Sequence, residues 1–177
     1  MLAAMLGVLH RAHDTTLVIP VPAAETVVAA WRDTHDPSAK QGMPAHITTL
    51  YPFLPAKELT RERHRMLRDL FCNHRQFGFR LTGLGRFPGV LYLEPDPAEP
   101  FVALTEAVKA RFPGLVPYGG KFEYAVPHLT VCDGREPPDI VHTLEAALPI
   151  ECVATHVRLM ELRGHRRWIT RASFPFS

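Results

Sequence analysis

Four residues in two short segments have the types and spacing for proton-transfer chemistry. They are His46 and Thr48 in Pro44-Ala45-His46-Ile47-Thr48-Thr49-Leu50, and His128 and Thr130 in Val126-Pro127-His128-Leu129-Thr130-Val131. Residues two apart on a strand point to one face, so each segment aims an imidazole and a hydroxyl in the same direction. Two such strands facing each other make an acid-base site, because imidazole's ordinary pKa of about 6.5 lets one ring be neutral and the other protonated near neutral pH. Each positioned proton transfer is worth about 10²–10⁴ in rate. A third match, His13-Asp14-Thr15, shows that the tripeptide alone is not the signal. It has a charged middle residue and precedes its apolar run, whereas the other two have an apolar middle residue and lie inside theirs.

The elements that must position these residues follow from periodicity and punctuation. Thr15 to Val21 is β-rich, and Ala24, Val27, Val28 and Trp31 recur at helical spacing. Asp36 to Met43 reads as a loop. The first motif strand, His46 to Leu50, breaks at Pro52 and Pro55, and a helix follows with Leu59, Met66, Leu67, Leu70 and Phe71 on one face. Phe77 to Arg86 and Val90 to Glu94 form a hairpin around Phe87-Pro88-Gly89. Pro100 opens another helix, with Phe101, Leu104, Val108 and Phe112 as its buried stripe, and Leu115 to Val126 reads as a loop. After the second motif strand, His128 to Cys132, comes a helix carrying Ile140, Val141, Leu144 and Leu148. Two closing strands, Cys152 to Leu162 and Trp168 to Phe176, turn at Gly164. Both halves run motif strand, proline break, helix, hairpin. The expected fold is α+β and bilobal: two pseudo-symmetric antiparallel sheets flanked by helices, with a central cleft carrying the two His-x-Thr strands.

Bulk composition bounds the function. At 177 residues, 46% hydrophobic and 21% charged, the chain has the make-up of one globular domain, 1–177, of two intertwined lobes, with residues 1–13 as a short or frayed lead-in. A net charge of +2 and a pI near 8.5 fall short of a dedicated duplex-DNA binder but allow a local anion site. The cysteines Cys72, Cys132 and Cys152 form no Cys-x-x-Cys, which points to a reduced cytoplasm. No segment reads as a membrane span, and no metal-ligand spacing stands beside either motif, so neither membrane, metal nor cofactor is expected.

Met43-Pro44-Ala45-His46-Ile47-Thr48 running into Tyr51-Pro52-Phe53, then Phe87-Pro88-Gly89-Val90-Leu91-Tyr92-Leu93-Glu94-Pro95, and finally Pro127-His128-Leu129-Thr130 resemble, in that order, the two-histidine (2H) phosphoesterase superfamily, in its 2′-5′ RNA ligase-like and cyclic phosphodiesterase branch. The resemblance spans Thr15 to Phe176. It implies the bilobal fold, chemistry on cyclic phosphates or 2′-5′ linkages without a metal, and His46, Thr48, His128 and Thr130 as the functional residues. The threonine hydroxyls would then donate to non-bridging phosphate oxygens. The implied partner is a nucleotide or RNA terminus, acted on by a monomer. A nucleotide- or RNA-binding protein without turnover is the alternative, and a metal-dependent hydrolase a third reading. Around the motifs, Tyr51 and Tyr124 are candidates to stack on a base, against simple core packing. Lys121 and Arg167 are candidates to hold an anionic substrate, against a solvated loop and hairpin tip.

Overall fold

A computed structural model describes residues 14–117, 126–164 and 167–177. In chain order the elements are β1 (Thr15–Pro20), α1 (Pro22–His35), α2 (Pro37–Lys40), β2 (His46–Leu50), a 3-10 turn (Ala56–Glu58), α3 (Arg61–Phe71), β3 (Phe77–Phe87) and β4 (Val90–Asp96). Then come α4 (Glu99–Arg111), β5 (Leu129–Asp133), α5 (Ile140–Ala147), β6 (Ile150–Ala154), β7 (His156–Arg163) and β8 (Arg167–Pro175). Among the described residues the strands make two antiparallel four-stranded sheets, ordered β2-β1-β7-β8 and β5-β4-β3-β6. The fold is the α+β, two-sheet arrangement expected.

The helices form for local reasons. Pro22 starts α1 with its ring-fixed φ, Glu25 lies in the first turn, and Arg32 and His35 lie in the last, matching the helix dipole. Thr60 caps α3, its hydroxyl accepting from the Arg63 N–H at 3.2 Å, and Leu67 and Phe71 bury the inner face. Leu17, Ile19, Ile47 and Leu159 from the first sheet join Leu91, Leu93, Leu129 and Val131 from the second in one apolar cluster with Val28, Phe71, Leu104 and Leu144 from the helices. A shared core of this kind fixes the two sheets relative to each other, because burying each such side chain stabilises by about 1.5–3 kcal/mol. No helix among the described residues is long and apolar enough to cross a membrane.

Three details differ from the sequence reading. Asp36–Met43 is not all loop: Asp36 accepts from the Ser38 N–H at 2.8 Å and starts the single turn α2, with Pro37 at its first position. Cys152 to Leu162 is two strands, β6 and β7, in different sheets. The buried parity shifts there from Cys152 and Ala154 to Val157 and Leu159, so the alternation slips at Thr155. Finally, each hairpin joins the other half's motif strand: β3 and β4 lie in the sheet of β5, while β7 and β8 lie in the sheet of β2.

Candidate active site

Each His-x-Thr segment lies on the edge strand of its sheet, and β2 and β5 are brought against each other. His46 opens β2 and His128 immediately precedes β5. His46, Thr48, His128 and Thr130 are all half-buried, while Ile47, Thr49, Leu129 and Val131 between and beyond them are buried. The two-residue alternation therefore turns each pair to the partly open face of its strand, and with β2 against β5 the two histidines lie near enough for the charge of His128 to act on His46.

The two strands match in finer detail. Val18 faces Thr48 and Leu17 faces Leu50, which leaves Thr49 as an extra residue. Tyr92 faces Thr130 and Leu91 faces Cys132, which leaves Val131 in the same position. A bulge directly after each motif threonine bends the strand away from the regular ladder, a common device for aiming side chains.

The imidazoles are oriented alike. His46 Nδ1 lies 2.7 Å from the Pro44 carbonyl oxygen, and His128 Nδ1 lies 2.7 Å from that of Val126. A carbonyl only accepts, so Nδ1 carries the hydrogen in both rings and Nε2 is left for a ligand. Burial, then the Arg32 charge, lowers His46 to about 4 against opposing contributions from the Pro44 hydrogen bond and Asp36, and the charge of His128 adds to the lowering. Burial also lowers His128. The Phe87 ring stands edge-on to His128 with centroids 5.0 Å apart, and Tyr92 lies 5.2 Å away. Tyr92 can lie there because Gly85 faces it across the ladder: a Cβ at Gly85 would collide with the Tyr92 ring.

Helix side chains close the strand edges, where unpaired backbone groups would otherwise face the interior. Arg32, 2% exposed, donates from Nε to the Thr130 carbonyl at 3.1 Å and from Nη2 to the Met43 carbonyl at 3.3 Å. Both nitrogens also reach Asp36 Oδ2, at 3.1 and 2.9 Å. One buried guanidinium thus ties the second motif to the segment leading into the first. Glu25 accepts from the Ala45 N–H at 2.6 Å. Thr105 of α4 donates to the Thr49 carbonyl at 2.8 Å.

The sequence reading missed Arg32, Asp36, Glu25, Thr105, Phe87 and Tyr92. A signal for Arg32 existed. It continues the Ala24, Val28 stripe by one further turn and has Asp36 four residues on, so a charged pair falls on an apolar face.

The remaining candidates fall differently. Tyr51 is 6% exposed, donates its hydroxyl to Asp14 Oδ2 at 2.7 Å and stands edge-on to Trp168. Arg167 opens β8, exposed, with its stem beside Gly42, three residues before the first motif's Ala45. Tyr124 and Lys121 lie outside the described residues. Among the described residues no three His, Cys, Asp or Glu side chains converge as a metal-ligand set.

The sequence model of one family, described as the 2′-5′ RNA ligase superfamily, matches residues 19–166, which include both motifs. The chain belongs to the 2′-5′ RNA ligase superfamily. Its fold is similar to solved structures across nearly its whole length. E. coli LigT complexed with 3′-AMP superposes with a TM-score of 0.60 at 18% identity, covering 94% of this chain and 99% of that one. TT0787 of Thermus thermophilus superposes with a TM-score of 0.64 at 20% identity, covering 92% of this chain and 97% of that one. E. coli LigT complexed with ATP gives 0.58 at 17% identity, covering 95% and 99%. Among curated proteins no sequence relative was found. For a superfamily member, the paired edge strands are the natural place to look for the chemistry, since both elements of the repeat converge there.

Proposed function

We propose that this 2′-5′ RNA ligase superfamily member is a metal-independent phosphoesterase that opens 2′,3′-cyclic phosphates, or reversibly forms and breaks 2′-5′ bonds, at a nucleotide or RNA end. The observation that carries this reading is the matched pair of imidazoles, each with Nδ1 held by the carbonyl two residues earlier and Nε2 left for the substrate. In-line opening needs a base on the entering water and an acid on the departing ribose oxygen. His46 is the base: burial and the adjacent Arg32 cation keep it neutral. His128, the other imidazole whose Nε2 is left for the substrate, is then the acid.

In hydrolysis, water's oxygen attacks phosphorus while His46 Nε2 takes its proton. The phosphorus–oxygen bond to the ribose breaks, and the proton on His128 Nε2 goes to the departing oxygen. A phosphomonoester and a ribose hydroxyl result. Thr48 and Thr130 donate to the non-bridging oxygens as their charge rises. Ligation to a 2′-5′ bond exchanges the two histidine roles. The 3′-AMP and ATP held by E. coli LigT, which shares the fold, support a nucleotide ligand here. The reading extends to a monomer working in the cytoplasm.

A screen of 2′,3′-cyclic nucleotides, oligonucleotides with cyclic ends and 2′-5′ dinucleotides, run with chelator present, tests the proposal. Turnover of at least one class is expected. Binding without turnover of any would move the assignment to a nucleotide-binding protein, and activity lost with chelator and restored by zinc or manganese would move it to a metal-dependent hydrolase.

A further inference from the structure

On the face of the first sheet that carries His46 and Thr48, a second polar pair runs beside them. β7 is antiparallel to β1 and β1 to β2, so β7 runs parallel to the motif strand. Thr48 faces Val18, and Val18 faces Arg158, which places Arg158 in the Thr48 row and on its face. Two residues earlier on β7, His156 shares that face by strand alternation. On the far side Arg158 faces Ser173, which is exposed. The two packing clusters agree with this parity. Val18 and Met160 belong to the smaller cluster on this face, and Leu17, Val157 and Leu159 to the main core behind it. Two inter-strand spacings separate the rows, about 10 Å between backbones.

Arg158 is half-buried, and its charge has no carboxylate partner among the described residues. Arg32, Arg63, Arg80, Arg86 and Arg171 all have one. The one hydrogen bond Arg158 makes among the described residues runs from Nε to His156 Nε2 at 3.2 Å, which holds the guanidinium along β7 and leaves both terminal nitrogens available. An Nε2 that accepts is unprotonated, so His156 is neutral and its Nδ1–H donates to Thr155 Oγ1 at 2.8 Å. Burial, and then the Arg158 charge, keep the ring in that form. A half-buried cation held by a neutral orienting group, with its planar fork free, is built to meet an anion from outside, and phosphate matches that fork.

We infer that Arg158, oriented by His156 and joined by Ser173, binds a second phosphate of the substrate, one strand pair away from the phosphate at the two motifs, so that the preferred substrate carries a phosphate on the 5′ side of its cyclic end. This rests on the phosphoesterase reading of the motifs and narrows it from any cyclic nucleotide to 5′-phosphorylated nucleotides and oligonucleotide ends.

The test compares kcat/KM for three probes: a nucleoside 2′,3′-cyclic phosphate with a free 5′-hydroxyl, the same compound with a 5′-phosphate, and a dinucleotide ending in the cyclic phosphate. In the wild type the two probes with a 5′-side phosphate are expected to be better by about tenfold, the low end for a charge-assisted contact at a partly exposed site. Arg158→Met should reduce that ratio to near one, Arg158→Lys should keep part of it, and added salt should shrink it in the wild type. Preference for the dinucleotide alone would identify the phosphate as that of a neighbouring nucleotide. Equal turnover of all three probes, or a ratio unmoved in Arg158→Met, overturns the inference while leaving the phosphoesterase intact. No turnover of any probe overturns the phosphoesterase reading itself.

Discussion

Replacing Arg32 by methionine removes a cation that holds four acceptor contacts in a site only 2% exposed. The loss strands the Asp36 carboxylate, 3% exposed, and leaves the Thr130 and Met43 carbonyls without their donor. Breaking a buried ion pair from one side costs about 3–5 kcal/mol, because the remaining charge stays desolvated. For a domain of this size 1 kcal/mol moves Tm by about 2–4 °C, so the variant should melt about 6–20 °C lower. The double variant Arg32→Met/Asp36→Asn should recover a large part of that loss, since asparagine keeps an acceptor for Ser38 without the charge. The same substitution also acts on the chemistry. Arg32 lowers and Asp36 raises the proton affinity of His46, so removing only Arg32 should lift the acid limb of kcat/KM well above its starting point near 4. Thermal melts and pH–rate profiles of the two variants measure both effects. A Tm loss under about 2 °C, or no rescue by the second substitution, would refute the claim that this pair braces the motif strands.

Other consequences can be checked in parallel. Because both histidines are lowered in the free protein, the kcat/KM profile should peak on the acid side of 6.5; a maximum above about pH 7 argues against the environment described for them. Folding stability should fall as pH drops from about 6.5 to about 4, since the unfolded chain gains a proton on His46 in that window and the folded chain does not; urea melts of His46→Gln should show a shallower slope there. Thr48→Val and Thr130→Val should each lower kcat by about 10² with little change in Tm, as expected for donors to transition-state charge. Gly85→Ala should push Tyr92 off His128 and reduce turnover, and in a Tyr92→Leu background, where that ring is already gone, it should have little further effect.

The four motif residues were legible because the strand period is short-range: a histidine and a threonine two apart share a face whatever the strand later pairs with. The α+β class was legible for the same reason, from local periodicities. What could not be read was pairing between distant segments. Nothing near Phe77–Asp96 says that this hairpin joins β5 rather than β2, and the parity slip at Thr155 is a one-residue event inside an apolar run. Arg158 shows the limit most plainly. Its own strand tells only that it opposes Val157 and Leu159, and it becomes part of the site because Val18 lies between it and Thr48. Arg32 was within reach, as a charge continuing an apolar helical stripe, yet in sequence it reads as surface beside Asp33.

The central claim is that His46 and His128 form one acid-base pair acting on phosphorus. Phosphorus NMR of an oligonucleotide ending in a 2′,3′-cyclic phosphate, incubated with wild type, His46→Ala and His128→Ala in the presence of chelator, tests it most directly. The account predicts conversion of the cyclic signal to a phosphomonoester by the wild type and a loss of about 10²–10⁴ in rate for each variant, with the double variant little worse than either. A wild type that leaves the cyclic signal unchanged, or a folded single variant that still converts it at the wild-type rate, would contradict it.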